Sequence, residues 1–231
     1  MKVVIACAGS KDPGAGRLTV SGKKIVFVAN PECYPARQGE RAVRPDDKWC
    51  DELRGYQEGK NPCGLYRAAD LYTPNEPFCG LYRDLVAAFE CKNVFLLSGG
   101  WGLIRADFLT PYYESTFSTS RDIKEKMPWA CRDGSVETWP NFDYLQNAQI
   151  TQNEPIHFFG GFDYLKVYCC LTKHLPGKKV VHYNSVKVDP DRLRRDGFVP
   201  EDYGRPKERQ NWYYRAAKDF AADYVRRREG S

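Results

Sequence analysis

An α/β fold, built on one sheet of mostly parallel or mixed strands flanked by helices, is the fold class that the sequence predicts. Short apolar runs rich in Val, Ile and Phe alternate with longer amphipathic stretches, as in strands connected by helices. In the later part of the chain, PIHFFGG, FDYLKVYCCLTKHL and KKVVHYNS follow one another. This order of strand, helix and strand is typical of a βαβ unit.

The first half of the chain predicts three strands and two helices. KVVIACA is a buried strand that ends at AGSKDPGAG, whose Gly and Pro residues indicate a loop. KKIVFVA, from Lys23 to Ala29, predicts a second strand, and a short helix is expected around DDKWCDELRGYQ. NVFLLS predicts a strand buried on both faces. Before it, apolar residues recur at helical spacing at Phe78, Leu81, Tyr82, Leu85 and Phe89.

Two further helices and two irregular regions complete the expected domain. SRDIKEKM, from Ser120 to Met127, predicts a short helix. RQNWYYRAAKDFAADYVRRR predicts a basic C-terminal helix with an apolar face. Residues 30–64 and 120–153 are polar and broken by Pro and Gly, so they are interpreted as insertions in one domain that spans residues 1–231.

The composition is that of a globular protein. The chain has 231 residues, of which 42% are hydrophobic and 28% charged, enough to bury a core without disulfide or metal staples. No apolar run approaches the roughly 20 residues needed to span a bilayer. The apolar stretch at the N-terminus is too short for a signal peptide, so we expect a cytoplasmic protein without membrane contact.

The sequence predicts no metal and no cofactor. The nine cysteines include no Cys-x-x-Cys pair, and only three histidines are present, so the ligand spacing of a structural zinc site is missing. The glycine-rich turns match neither a P-loop nor a dinucleotide fingerprint, so neither ATP nor NAD is expected.

The charge is positive and uneven. Formal net charge is +5, and the chain finishes with VRRREGS. Basic residues at Arg226, Arg227 and Arg228 are predicted to contact DNA phosphates, because Lys and Arg bind nucleic acid by releasing counterions. A solvated helix face is the commoner meaning of such a run and stays open.

Three predicted strands end in small or glycine-rich turns, CAGSK, SGGWG and FFGGFDY. In open α/β sheets, ligands bind beyond these strand ends, and glycine lets the backbone approach them. Tyr and Trp near the turns offer faces on which nucleobases stack. The predicted binding residues are Ser10, Ser98, Gly99, Gly100, Trp101, Pro111, Tyr112, Glu114, Asp163 and Tyr164, together with Asp70 in AADLY.

Three residues are predicted to take part in catalysis. Asp107 follows Arg105 by two positions, so an extended chain would point both side chains the same way. A carboxylate near a strand end can activate water or stabilise a cationic transition state. Lys11 can bind phosphate or favour a leaving group, as can Arg105. A surface salt bridge for Asp107 and a solvated lysine at Lys11 are the alternatives.

The motifs IACAGSK, AADLYTPNEPF and LLSGGWGLIRADFLTPYYESTF resemble, in this order, the signature turns of the YaaA-like superfamily. The resemblance implies an α/β core, DNA binding and, for some relatives, a link to oxidative-stress defence or to nucleobase modification. Many relatives have an acid directly after Pro-Tyr, where this chain has Tyr113, which weakens the role of Glu114. The matching positions are Cys7, Ser10, Lys11, Asp70, Tyr72, Ser98, Gly102, Leu103, Asp107, Pro111 and Tyr112.

These observations predict a DNA-binding enzyme that acts on a nucleobase, most plausibly a DNA glycosylase that cleaves the N-glycosidic bond of a normal or modified base. The partner is DNA, and no protein partner is predicted. Asp107 would activate water or stabilise the cationic sugar. A non-catalytic protein that protects DNA in oxidative stress and a hydrolase of free modified nucleotides are the alternatives. Stress or phage defence is a setting compatible with these functions, and the residues do not require it.

Overall fold

The computed structural model describes residues 1–20, 23–26, 38, 40–42, 49–99, 101–113, 142–143, 150–151, 153–204 and 211–230. Its strands are β1 Lys2–Ala6, β2 Thr19–Val20, β3 Lys23–Val26, β4 Glu40–Ala42, β5 Tyr66–Arg67, β6 Val94–Ser98, β7 Gly102–Arg105, β8 Leu109–Thr110, β9 Phe142–Asp143, β10 Ile156–Phe159, β11 Lys179–Tyr183 and β12 Phe198–Asp202. Its α-helices are α1 Trp49–Glu58, α2 Ala68–Leu71, α3 Leu81–Phe89, α4 Phe162–Thr172, α5 Pro190–Arg195 and α6 Trp212–Glu229.

The predicted α/β class is confirmed by a seven-stranded sheet in the order β12-β11-β10-β1-β6-β7-β9. The strands from β12 to β6 pair in parallel, whereas β7 runs antiparallel to β6 and parallel to β9. The parallel strands therefore all end at one side of the sheet, which we call the carboxyl edge. We call the opposite side the amino edge, and β7 leads back to it.

Helices cover both faces of the sheet. On one face α3 meets α6, where the rings of Phe89 and Phe220 stack 5.8 Å apart. Phe220 also packs against Phe159 of β10, with ring centroids 5.4 Å apart. On the other face Tyr168 of α4 stacks on Phe158 at 4.2 Å. Because neighbouring strand residues point to opposite faces, α4 and α6 lie on opposite sides of the sheet.

The longest described helix, α6, runs against the direction of the parallel strands. It begins near the carboxyl edge, where Trp212 contacts Tyr203 just after β12. It ends near the amino edge, where Tyr224 contacts Phe89 at the end of α3. Its 18 residues span about 27 Å. In the described part of the chain, no helix is both long enough and apolar enough to cross a membrane.

The predicted strands and helices around the core are confirmed, with some differences. The described part of KKIVFVA forms β3, which belongs to a separate three-stranded sheet with β2 and β4. The predicted helix Ser120–Met127 lies outside the described residues. Helix α5 was not predicted from the sequence, although Asp189 accepts hydrogen bonds from Asp191 N and Arg192 N at 3.0 Å as its N-cap. Strand β12 was not predicted either, and its proline and acidic residues suit an edge strand.

Two histidines lie side by side beneath α6. His157 Nδ1 and His182 Nε2 are 3.0 Å apart, and Phe220 packs over His157 with centroids 4.5 Å apart. Phe159 stacks on His182 at 4.2 Å. Burial lowers the pKa of His157 to about 4, with further lowering by Lys178 and the N-terminus, and burial lowers the pKa of His182 to about 3. Both imidazoles are therefore neutral at pH 7.

We expect this pair to make the fold acid-sensitive. Unfolded histidine has a pKa of about 6.5, so below that pH the unfolded chain binds protons that the folded protein does not. Stability should therefore fall as the pH drops from about 6.5 towards 4, by up to about 1.4 kcal/mol per pH unit for each histidine. Urea denaturation at a series of pH values measures this slope.

Two variants, one that removes the buried pair and one that changes an exposed histidine, test this explanation. A double change, His157→Phe with His182→Phe, removes both polar rings and keeps the aromatic packing, so it should flatten the slope. His174→Asn changes an exposed histidine and should leave the slope as in the parent protein. An unchanged slope in the double variant would show that other groups cause the acid sensitivity.

Candidate functional site

The carboxyl edge contains a topological switch point beside β1, where the order of the strands changes direction. The chain runs from β1 to β6 on one side and later forms β10 on the other side, and ligands of open α/β sheets bind at such a switch point. Two contacts join the segments that meet there. Cys7 N donates to Leu97 O at 3.0 Å, and Cys7 Sγ lies 3.5 Å from the hydroxyl of Tyr164.

Three hydroxyl groups form a buried cluster at this edge, which we call the hydroxyl triangle. Tyr72 Oη donates to Ser98 Oγ at 3.0 Å. The hydroxyl of Tyr113 lies 2.6 Å from that of Tyr72 and 2.6 Å from Ser98 Oγ. All three residues are at most 1% exposed. The triangle joins α2, the end of β6 and the segment after β8, which are distant in sequence.

The triangle is a neutral hydrogen-bonded unit. Burial holds the pKa of Tyr72 and Tyr113 well above the usual value of a phenol, so both remain protonated. Each hydroxyl can donate one hydrogen bond and accept others. The backbone N–H of Trp101 also donates to Ser98 Oγ at 3.1 Å. The indole ring of Trp101 packs edge-on against the ring of Tyr113, with centroids 5.1 Å apart. Trp101 is fully buried, so it forms part of the wall.

Lys11 lies directly against this wall. Its Nζ is 4.3 Å from the ring centroid of Tyr113 and donates to Gly9 O at 3.1 Å. Its backbone forms an antiparallel bridge with Tyr72. Next to it, Ser10 is exposed, and its carbonyl accepts from Thr73 N at 3.1 Å. Lys11 is therefore positioned by the hydroxyl triangle, with a cation–π contact holding the ammonium in place.

The loop after β1 depends on a close backbone approach at Gly16. A Cβ at this position would lie 1.7 Å from Cys63 O, so only glycine fits. Gly16 N donates to Gly64 O at 2.9 Å, and Gly16 O accepts from Tyr112 N at 2.9 Å. The same loop places the guanidinium of Arg17 4.6 Å from the ring centroid of Tyr112. Tyr112 is half-buried, and Arg17 covers one face of its ring.

The turn after β10 brings a carboxylate to the carboxyl edge. Gly160 is required there, because a Cβ would lie 2.4 Å from Phe158 Cζ. Asp163 follows in the first turn of α4. Burial raises the pKa of Asp163 above its usual value, while Lys166 and Lys187 partly oppose this. Asp163 therefore resembles a catalytic carboxyl more closely than an exposed aspartate does.

Arg105 and Asp107 do not join Lys11 and Ser98. Because β7 runs back along β6, Arg105 lies opposite Phe95 whereas Gly102 lies opposite Ser98. These three steps displace Arg105 by about 10 Å towards the amino edge. Arg105 Nε donates to Asp107 Oδ1 at 2.5 Å in a partly exposed ion pair. The expectation that both residues follow the SGGWG turn into one site is therefore not met.

The three C-terminal arginines lie at the amino edge. Arg226, Arg227 and Arg228 are exposed in the last turn of α6. Arg226 pairs with Asp223, and the guanidinium of Arg228 lies 5.8 Å from the ring centroid of Tyr224. The predicted DNA contacts are therefore separated from Lys11 by nearly the length of α6.

The other predicted binding residues have different positions. Gly99 and Pro111 are buried near the hydroxyl triangle. Gly100 and Glu114 lie outside the described residues. Asp70 lies on the flank of the domain, where it binds Arg67 and Arg83.

One group of possible metal ligands occurs among the described residues. Ligand atoms of His157, His182 and Glu201 lie within 4.8 Å of one another. However, His182 faces His157 through Nε2 at 3.0 Å and Glu201 through Nδ1 at 3.8 Å. The two nitrogens of one imidazole point in different directions, so this arrangement favours a series of hydrogen bonds over one shared ion. The expected absence of a metal stays a prediction.

Comparisons with known proteins do not assign the chain to a family. No protein-family model matches it, and no significantly similar curated protein was found. The resemblance to the YaaA-like superfamily therefore stays a prediction that rests on the motifs quoted above.

The hydroxyl triangle should be cooperative in stability. Tyr113→Phe removes one hydroxyl and leaves buried partners without it, so we expect a loss of about 1–3 kcal/mol in the free energy of unfolding. Tyr72→Phe should cost a similar amount, and the double variant should cost less than the sum because the two residues share partners. Urea denaturation of the four proteins gives the coupling energy.

Tyr203→Phe is the matched control for this cycle. It also removes a tyrosine hydroxyl that makes a hydrogen bond, from Tyr203 Oη to Asp219 Oδ2, but that bond is exposed. We expect a smaller loss there, and additivity with Tyr113→Phe. Strict additivity of Tyr72→Phe and Tyr113→Phe would contradict the triangle as one unit.

Proposed function

We propose that the protein binds DNA and hydrolyses the N-glycosidic bond of a nucleobase, with the reaction centre at the carboxyl edge. The observation that carries this proposal is the position of Lys11, which is held against the hydroxyl triangle at the switch point of the sheet. Asp163 follows the neighbouring strand at the same edge. A cation and a carboxylate are the two groups that this reaction uses.

Each group has a distinct chemical task. As the bond breaks, positive charge develops on the sugar and negative charge on the departing base. The ammonium of Lys11 would stabilise the base, and the carboxylate of Asp163 would activate water or stabilise the sugar cation. From the sequence alone, Asp107 was predicted to be this carboxylate. The geometry favours Asp163, because Asp107 is displaced towards the amino edge.

The target base would have to leave the DNA helix to reach this edge, as in other enzymes that act on bases. Tyr112 is a partly exposed aromatic residue that could stack on the base, and the guanidinium of Arg17 lies against its ring. Tyr164, Trp101 and Tyr113 are buried and would shape the wall. Each stacked base would gain about 1–3 kcal/mol.

The contact with DNA is supported by charge and by the motif resemblance. Net charge is +5, and Arg226, Arg227 and Arg228 are exposed. Because they lie at the amino edge, these arginines would bind DNA backbone remote from the reacting base. A cytoplasmic location and a role in stress or phage defence belong to this proposal.

A non-catalytic DNA-binding protein is the second candidate. The observation that favours it is the separation between the C-terminal arginines and Lys11, since such a surface can bind DNA without using the carboxyl edge. A hydrolase of free modified nucleotides would use the same reaction centre without the arginines. These functions differ in whether base is released, and from which substrate.

We expect Asp163→Asn to abolish base release while DNA affinity is retained. Purified protein would be incubated with unmodified, hydroxymethylated or glucosylated duplex DNA, and with the corresponding free nucleotides. Alkali-labile abasic sites and released base, detected by mass spectrometry, report the reaction. Asp163→Asn should lower the rate by at least about 100-fold, whereas Asp107→Asn, the matched control, should stay within a few-fold of the parent protein.

The reverse pattern, with activity lost only in Asp107→Asn, would return the carboxylate role to Asp107. Absence of released base from every substrate would contradict the enzymatic proposal and favour the DNA-binding protein. Fluorescence anisotropy with the same duplexes would then measure the binding that remains.

Asp163→Asn should also stabilise the fold. A raised pKa means that the ionised carboxylate is disfavoured in the folded protein relative to the unfolded chain. Asparagine has the same shape and no charge, so Tm at pH 7 should rise. Asp163→Asn with lower activity and higher Tm would separate a catalytic role from a structural one. A lower Tm would indicate that the carboxylate stabilises the turn instead.

A further inference from the structure

A concave surface lies on the flank of the domain, and its lining residues differ from the carboxyl-edge residues described above. It is a groove of about 440 Å³ between α2, the start of α3, the β5–β8 pair and the loop after β1. Gln57 fixes its floor, since its side chain accepts from Leu109 N at 2.7 Å and donates to Leu109 O at 2.9 Å. The residues that line the groove are Asp12, Leu65, Tyr66, Arg67, Asp70, Arg83 and Leu109.

Two arginines in this groove share one carboxylate. Arg67 Nε donates to Asp70 Oδ2 at 2.7 Å, and Arg83 Nε donates to Asp70 Oδ1 at 2.8 Å. Burial acts to raise the pKa of Asp70, but the hydrogen bonds from both arginines outweigh it, and the pKa lies below its usual value. Asp70 therefore stays ionised and fixes the two guanidinium groups on either side of itself.

Most of the donors on these arginines remain available. A guanidinium has five N–H groups, and the bond to Asp70 uses only the one on Nε. Among the described residues, the hydrogen bonds that Arg67 and Arg83 donate are the two from Nε to Asp70, and none comes from a terminal nitrogen. Their side chains are 56% and 69% exposed. Two oriented guanidinium groups facing one groove are the arrangement that binds a tetrahedral oxyanion.

The charge of the groove limits which oxyanion fits. Arg67 and Arg83 contribute two positive charges, and Asp70 and Asp12 contribute two negative charges, so the lining is neutral. Asp12 uses Oδ1 to accept from Gly14 N at 2.8 Å, but its charge still repels anions. A phosphodiester carries one negative charge and a terminal phosphate up to two, so the groove suits the diester better.

We propose that this groove binds a phosphate group through the terminal N–H groups of Arg67 and Arg83. The inference rests on the proposed function in that the phosphate would belong to the DNA backbone beside the extruded nucleotide. The groove adjoins the reaction centre, because Asp12 follows Lys11 directly and donates its N–H to Leu71 O at 2.8 Å. Leu65 and Tyr66 would contact the sugar next to the phosphate.

The salt dependence of DNA binding tests this inference. Each neutralised phosphate adds about 0.9 to the slope of log K against log salt concentration. Arg83→Gln should weaken DNA binding and reduce this slope by about 0.9 with duplex DNA, or by about 0.7 with single-stranded DNA. Arg194→Gln is the matched control. It removes an exposed arginine that pairs with an aspartate, as Arg83 does, and the slope should be unchanged in this variant.

Small phosphates distinguish the two sources of the ligand. Dimethyl phosphate represents the backbone diester, and a nucleoside 5′-monophosphate represents a free nucleotide, each titrated into the parent protein and into Arg83→Gln. An unchanged DNA slope in Arg83→Gln, together with monophosphate binding weakened at least about tenfold, would support a phosphate site that takes free nucleotides. Equal behaviour of Arg83→Gln and Arg194→Gln with every ligand would overturn the inference.

Failure of the phosphate site can be distinguished from failure of the proposed hydrolase. Binding that depends on Arg83, without base release from any substrate, would support the phosphate site while contradicting the hydrolase. Base release with an unchanged slope and unchanged phosphate binding in Arg83→Gln would support the hydrolase while contradicting the phosphate site. A thermal melt of each variant verifies that the compared proteins are folded.

Discussion

The parallel pairing of β1 with both of its neighbours is the constraint on which the rest of the structure depends. Val3, Val4, Ile5 and Ala6 are fully buried, and β1 forms ladders with β6 and β10 at the same time. Parallel strands need crossover connections, so helices must cover both faces. The residues that follow each parallel strand therefore lie at one edge of the sheet. Lys11, Ser98 and Asp163 share that edge because of this geometry.

The hydroxyl triangle shows how polar chemistry can be held in such a core. An unsatisfied hydroxyl in a buried position is costly, so Tyr72, Ser98 and Tyr113 are stable there only as a set. The set is rigid, and Lys11 is placed by its contact with one of the rings. The carboxyl edge therefore has a preorganised wall, which reduces the reorganisation that a reaction would require.

Much of the fold could be predicted from the sequence, and less of the site. Apolar runs predicted β1, β6, β10 and β11, because buried parallel strands lack polar alternation. The position of Asp107 was not predictable, since a glycine-rich turn can lead into a loop or into an antiparallel strand as short as GLIR. The contact between Tyr72 and Tyr113 joins residues 41 positions apart, and local patterns do not report such distances.

The central place of β1 also has a consequence for how the protein is made. Lys2 of β1 pairs with Ile156 of β10. One edge of β1 therefore stays without its partner strand until about 150 further residues have been synthesised, which takes roughly 10–30 s. During that time an apolar strand edge remains open to other chains. Until β10 has been synthesised, the nascent polypeptide is therefore exposed to edge-to-edge association through β1.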